Sequence, residues 1–244
     1  MSSAPIAPTR VLDCKIASNR HGTYCVPASA AARPAARAVL RGKVYEPETL
    51  AFMAANCGPY DIVHAGTFFG DFLPALSRAV DPGALIWAFE PNEESFRCAE
   101  VTSLLNQISN VRMHNAGLGA ATSSSFLMTT DARGRALGGA SRIVADAPAT
   151  EGAGVESVDI VAIDDIVPAD RTVGILQLDV EGYEQHALTG AFDTIRRCRP
   201  ILVLEQQPSH AFLDGEWFAD NVLSLGYEPA GTAHLNRIYR PTAA

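Results

Sequence analysis

From residue 61 onward, short apolar runs alternate with amphipathic stretches. DIVHA, ALIWAFE, NVRMHNA, GILQLDV and PILVLEQQ each read as a strand. Between them, DFLPALSRAV, NEESFRCAEVTSLLNQI and EGYEQHALTGAFDTIRRC have helical spacing, and GEWFADNVLSLG reads as a helix closed by glycine. This order predicts an α/β fold, a mainly parallel sheet with helices on its faces. GYEPA and LNRIYR, separated by a short turn, predict an antiparallel hairpin at the end of that sheet. VDIVAIDDIV adds an edge or connecting strand. Upstream, VLDCKIAS and GTYCVPAS flank the polar turn NRHG and predict a hairpin over residues 11–28, an accessory or a contact for a second copy in a homodimer. PETLAFMAANC places Leu50, Met53, Ala54 and Cys57 at helical spacing behind a proline suited to a first turn. Residues 116–157, rich in Gly, Ala, Ser and Thr, hold one clear strand candidate, SSSFLMTT, and an open loop, GRALGGASRI. Without internal repeats, the chain divides into an N-terminal extension, residues 1–58, and one domain, 59–244.

Composition narrows the possible functions. With 244 residues, 48% hydrophobic and 19% charged, the chain can fill one large core. A net charge of −8 leaves no basic face for phosphates, which argues against a nucleic-acid partner. The cluster Arg196, Arg197 and Arg199 falls where a helix should end, and there it complements the helix dipole. Five cysteines, odd in number and without a CxxC pair, argue against zinc and against a disulfide framework. The first residues lack the apolar core of a leader, and no apolar run spans a membrane. A cytoplasmic protein with reduced thiols is expected.

The chemistry gathers at the strand ends, where open α/β sheets bind their ligands. The five strands finish in HAGTFFGD, Glu90-Pro91-Asn92, Asn115-Ala116-Gly117-Leu118, Asp179-Val180-Glu181-Gly182 and Glu205-Gln206-Gln207. Gly66 and Gly70 allow the chain to turn closely against a ligand. Glu90, about twenty residues beyond Gly70, stands where a carboxylate receives ribose hydroxyls. AGTFFGD lacks the GxGxxG spacing that seats a pyrophosphate, and Asp71 would repel one. An ammonium-bearing ligand, S-adenosylmethionine, suits Asp71 better than a nicotinamide dinucleotide does. Simpler readings stand beside these: a structural glycine turn, a buried hydrogen-bonded imidazole at His64, and first-turn helix acids at Glu181 and Glu184. Of Phe68 and Phe69, one should line the pocket. His186 and His210 suit solvated surface, with His210 also within range of a substrate.

HAGTFFGDF, FEPNEESF, NVRMHNAGLG and LQLDVEGYEQHALTGA with RPILVLEQ resemble the FkbM-like family of S-adenosylmethionine-dependent methyltransferases over roughly residues 45–207. The most specific part is Asp179-Val180-Glu181-Gly182-Tyr183-Glu184, followed by Ala187-Leu188 and Gly190-Ala191. The resemblance implies a class I, Rossmann-like methyltransferase fold with a seven-stranded, mostly parallel sheet, helices on both faces and a terminal antiparallel hairpin. It implies methylation of a hydroxyl on a small sugar or natural product. It places His64, Gly66, Thr67, Phe68, Phe69, Gly70 and Asp71 along the methionine part of the cofactor, and Glu90, Pro91 and Asn92 at the ribose. Asn115, Ala116, Gly117 and Leu118 fall by the adenine. Asp179 falls next to the sulfonium and the acceptor as the first candidate base, with Glu181 and Glu205 behind it. His64 departs from the pattern, since the family usually has an acid there. Asp179 has a rival reading as a metal ligand, but no complete ligand set accompanies it. The loop from Thr129 to Ala153, with Gly138 to Ser141, reads as a cover over the acceptor or as plain surface. A nicotinamide-dependent oxidoreductase and a non-catalytic cofactor-binding partner in a biosynthetic cluster are the alternative functions.

Overall fold

The computed structural model describes residues 11–144, 154–206 and 211–242. β1 (Cys14–Asn19) and β2 (Gly22–Pro27) form an antiparallel hairpin, with Cys14 opposite Pro27 and Asn19 opposite Gly22. α1 (Pro34–Val39) and α2 (Pro47–Asn56) follow, each opened by a proline whose missing N–H costs nothing at a helix start. The main body then runs β3 (Asp61–Ala65), α3 (Leu73–Ala79), β4 (Ile86–Phe89), α4 (Glu93–Leu105) and β5 (Val111–His114). Next come four strands of a side sheet: β6 (Gly117–Leu118), β7 (Ser123–Met128), β8 (Arg142–Val144) and β9 (Val155–Val161). The chain returns through α5 (Ile163–Ile166), β10 (Val173–Leu178), α6 (Glu184–Thr189), α7 (Phe192–Cys198), β11 (Ile201–Glu205), α8 (Glu216–Asn221), β12 (Tyr227–Ala233) and β13 (Asn236–Pro241).

The main sheet is mixed, in the order β12-β13-β11-β10-β3-β4-β5. β11, β10, β3, β4 and β5 are parallel neighbours, while β13 runs antiparallel to both β11 and β12. Successive residues of β3 feed opposite faces. Val63 joins Phe89, Leu176, Leu178 and Leu204 on one side, and Ile62 joins Ile86, Ile175 and Val203 on the other. All five residues of β3 are buried, as a strand covered on both faces requires. Leu50 and Met53 of α2 belong to the second of these clusters, so that helix shares the core of the sheet. The hairpin lies on α4, where Cys25 N donates to Thr102 Oγ1 at 3.0 Å and Asn106 bonds both backbone groups of Thr23. None of the five cysteines is in a disulfide. No helix among the described residues is long and apolar enough to cross a membrane.

Two expectations need correction. Only the first half of VDIVAIDDIV is a strand: β9 ends at Val161 and pairs with β6 and β7, outside the main sheet, and IDDI winds into α5. The helical turn is favoured because Asp164 accepts backbone N–H bonds from Asp193 and Thr194 at 2.9 and 2.8 Å, capping the start of α7. GRALGGASRI is likewise not an open loop. Gly138–Ala140 forms a single 3-10 turn, and β8 after it pairs antiparallel with β7.

Candidate active site

Register brings the strand ends level. His114, Phe89, Ala65, Leu178 and Leu204 are partners in one row across β5, β4, β3, β10 and β11. The next residue along each strand is Asn115, Glu90, Gly66, Asp179 and Glu205, so one step of sequence presents a line of polar groups at the sheet's C-terminal edge. Gly66 is the narrow point of that line. Its φ is +81°, and a Cβ there would sit 2.0 Å from the Asp179 carbonyl oxygen. Gly66 N and Thr67 N both donate to Phe89 O, at 3.1 and 3.2 Å, which ties the turn back to β4.

Glu90 is the turn's anchor. Its Oε2 accepts from Phe68 N at 2.7 Å and its Oε1 from Asn92 N at 2.9 Å. The first of these bonds holds Phe68 at its left-handed φ of +51°. Burial pushes the Glu90 carboxyl up to about 7, and the two amides work against that rise. Asn92 caps α4 through Ser95 N at 2.9 Å.

Two cavities open along this edge. The narrower is lined by Gly66, Glu90, Pro91 and Ala116, Gly117 and Leu118, with Leu127 and Ile143 of the side sheet opposite. The wider cleft is lined by His64, Phe68 and Asp71 together with Tyr45, Glu46 and Gln177. Gly66, Gly139, Asp179 and Glu181 line both. The 3-10 turn at Gly138 and Gly139 lies over the junction against the Phe68 ring, which a Cβ on either glycine would meet at 3.1–3.3 Å.

The structure separates the residues assigned to the turn. Phe68 and Asp71 face the wider cleft, whereas Phe69 is fully buried and packs edge-on against Tyr24 of the hairpin, 6.3 Å between ring centroids. Thr67 is buried, its hydroxyl donating to His64 O at 3.2 Å, and lines neither cavity. Gly70 turns against Ala99 and Leu73 rather than against a ligand. Asn115 is exposed. Its Nδ2 donates to Glu90 O at 2.9 Å and Pro91 O at 3.2 Å, which turns it away from the narrow cavity that Ala116 to Leu118 line. Asn92 also stands outside both cavities. His64 lies in the wider cleft, away from Glu90. His186 is exposed and stacked on Tyr183, while His210 lies outside the described residues.

At Asp179 the acids converge. Burial, then the charges of Glu205 and Glu181, push its carboxyl well above the usual carboxylate range, and a hydrogen bond with Glu205 adds to the rise. Two hydrogen-bonded carboxyls of this kind favour a shared proton. The turn carrying them is braced by Glu184, whose Oε1 accepts from Val180 N and Gly182 N at 3.2 Å each. Arg33, Tyr45, Glu46 and Gln177 lay outside the sequence expectations. Tyr45 and Glu46 precede a helix start and carry no spacing that ties them to strand ends far along the chain. Gln177 reads as a strand residue. Among the described residues no group of three His, Cys, Asp or Glu side chains is arranged to hold a metal ion.

Asp71 gives this site a pH signature. Burial, then the charge of Glu46, pushes its carboxyl from 3.8 up to about 7. Because folding raises this pKa, its contribution to stability is fully present below about pH 4 and is lost as pH rises through about 7. Asp71→Asn is therefore expected to melt above the parent protein at pH 8, with the gap closing at pH 4.5. Melting curves at the two values check this, and a gap independent of pH would refute it.

A known structure shares this architecture. A crystal structure of methyltransferase FkbM from Methylobacillus flagellatus KT matches with a TM-score of 0.52 at 20% identity, over 75% of this chain and 44% of that one. The present chain thus spans less than half the length of that protein. M. jannaschii TYW2 in complex with AdoMet gives a TM-score of 0.49 at 10% identity, over 98% of this chain and 90% of that one. Pyrococcus abyssi tRNA (uracil-54, C5)-methyltransferase in complex with S-adenosyl-L-homocysteine gives 0.48 at 11%, over 94% and 44%. No curated protein matches. The model of the methyltransferase FkbM domain matches residues 56–229, from the end of α2 into β12. With that match covering most of the chain, the protein belongs to the FkbM methyltransferase domain family.

Proposed function

We propose that this chain transfers a methyl group from S-adenosylmethionine to a hydroxyl oxygen of a small molecule. The observation that carries this reading is the meeting of two differently built cavities along Gly66, Asp179 and Glu181. The narrow cavity suits a nucleoside. Ala116, Leu118, Leu127 and Ile143 offer apolar walls to a flat base, and Glu90 offers carboxylate oxygens to ribose hydroxyls. Each Glu90 oxygen already receives one backbone N–H, which leaves it a further lone pair. Gly66 lets the chain pass between the two cavities without a side chain, beside the position the methionine part would take.

When bound, S-adenosylmethionine supplies a methyl group on a positively charged sulfur, open to in-line displacement by an acceptor oxygen. The chain's own residues align that oxygen and remove its proton. The Asp179–Glu205 pair serves as base: with one proton between them, its ionised member accepts the hydroxyl's hydrogen bond and then its proton. Gly139 and Phe68 close the junction and keep water from competing for the base.

Isothermal calorimetry with S-adenosylhomocysteine tests the reading. Binding is expected, and Glu90→Ala should weaken it about tenfold or more, the loss of a hydrogen bond to a charged group being about 1.5–3 kcal/mol. No binding to the parent protein, or unchanged affinity in the variant, would sink it.

A further inference from the structure

Methyl transfer leaves one feature of the wider cleft unexplained. His64 lines it, yet only 3% of the residue is exposed, and its ring lies flat on Phe72 with centroids 5.5 Å apart and planes 5° apart. Nδ1 is hydrogen-bonded to Gln177 Oε1, whereas Nε2 is buried without a partner. A carbonyl oxygen can only accept, so Nδ1 carries the proton and Nε2 presents a bare lone pair. Burial lowers the imidazole to about 4 and keeps it neutral at physiological pH. A buried acceptor without a partner, on a residue that borders the cleft, calls for a donor.

The remainder of the wall asks for the same thing. Glu46, Asp71, Asp179, Glu181 and Glu205 all face the cleft, and Arg33 is the one cation among its described lining residues. Glu46, Asp71, Asp179 and Glu205 surround Tyr45 closely enough that, after burial, their charges push its phenol up to about 12. Glu46 and Asp71 are also near one another, since the charge of Glu46 raises Asp71. Glu46 is fixed in place by Thr49 Oγ1 and Asn236 Nδ2, each donating to its Oε2 at 3.0 Å. Such a surface is rich in acceptors and negative charge. The cofactor's ammonium and sulfonium would occupy the Gly66–Asp179 side, which leaves Glu46 and His64 to the acceptor.

Building on the methyltransferase reading above, we propose that the acceptor is a hydroxylated amine of the amino-sugar or aminocyclitol class. Its ammonium lies between Glu46 and Asp71, and one of its O–H or N–H groups is donated to His64 Nε2. Among the described residues the Glu46 carboxylate has only Thr49, Asn236 and, at 3.8 Å, His234 as partners, so a neutral sugar would bring no charge to balance these carboxylates and an acid would add to their repulsion.

The test uses three simple sugars as probes on protein saturated with S-adenosylhomocysteine, read by saturation-transfer NMR at pH 7. Glucosamine is expected to bind at least tenfold more tightly than glucose, with glucuronate undetected. Glu46→Gln, which keeps the shape and one acceptor, should lower glucosamine affinity at least fivefold without changing that for S-adenosylhomocysteine. His64→Phe, which keeps the stack on Phe72 but deletes the lone pair, should also weaken glucosamine. If that variant fails to fold, Glu46→Gln still decides. In protein that binds S-adenosylhomocysteine, equal binding of glucosamine and glucose, preference for glucuronate, or no binding of glucosamine overturns the proposal. Failure to bind S-adenosylhomocysteine overturns the methyltransferase reading beneath it, so the two failures are distinct.

Discussion

Asp179→Asn is expected to reduce methyl transfer by about 10²–10⁴-fold, the usual contribution of a positioned general base, while the variant still folds and binds S-adenosylhomocysteine. Three observations single this side chain out. It follows β10 directly at the sheet's C-terminal edge, it lines both cavities, and its carboxyl is hydrogen-bonded to Glu205 with a strongly raised pKa. An amide in its place cannot accept a proton, although it keeps the size and much of the hydrogen bonding. Transfer of label from S-adenosylmethionine into small molecules of a cell extract, followed by mass spectrometry, measures the effect even while the acceptor is unidentified. Turnover within tenfold of the parent would move the base elsewhere, with Glu205 and Glu181 next in line.

Gly66→Ala is expected to damage the fold itself. A residue with a Cβ at φ +81° carries backbone strain of about 1–3 kcal/mol. The new carbon would also meet the Asp179 carbonyl oxygen at 2.0 Å, and that neighbour is backbone directly behind β10, which has little room to give. Overpacking of this kind adds about 1–3 kcal/mol. Together these are a large part of the roughly 5–15 kcal/mol that holds a typical domain. Urea titration compares the two proteins, and a midpoint unchanged from the parent would contradict the close approach of Gly66 to Asp179. A milder loss is expected for Gly83→Ala, whose φ is +95° but whose Cβ would meet nothing within 4 Å.

The strand ends were legible in the sequence because a buried parallel strand writes itself as an apolar run, and the first polar residue after it marks the edge of the sheet. Glu90, Gly66 and Asp179 come from that rule, and the register row from His114 to Leu204 explains why three such distant residues meet. What stayed hidden depended on contacts between remote segments. Phe69 reads as a pocket aromatic until Tyr24, from a hairpin far upstream, claims it for the core. Asn115 reads as an adenine contact until its side chain proves to be holding the carbonyls of Glu90 and Pro91. Of the side sheet, SSSFLMTT and VDIV read as strands, but β6 is two residues long and pairs with β9 some forty residues on, so nothing local announces that they form a sheet of their own. Glu46 and Tyr45 form a cleft wall by folding over from the N-terminal side, where nothing in their local pattern differs from an ordinary helix start.

The pairing of β6 with β9 sets Gly117 beside Ile160 and Leu118 beside Val161, so the chain leaves the main body and rejoins it at adjacent points. Everything between is a closed excursion. Lengthening such a detour costs little chain entropy, about 0.6 kcal/mol for each doubling, and it disturbs no register in the main sheet. Residues Gly138 and Gly139, which lie over the junction of the cavities, hang from this detour rather than from the sheet. Descendants of this fold can therefore resize the roof of the site by insertion or deletion, while the row of residues beneath it stays in step.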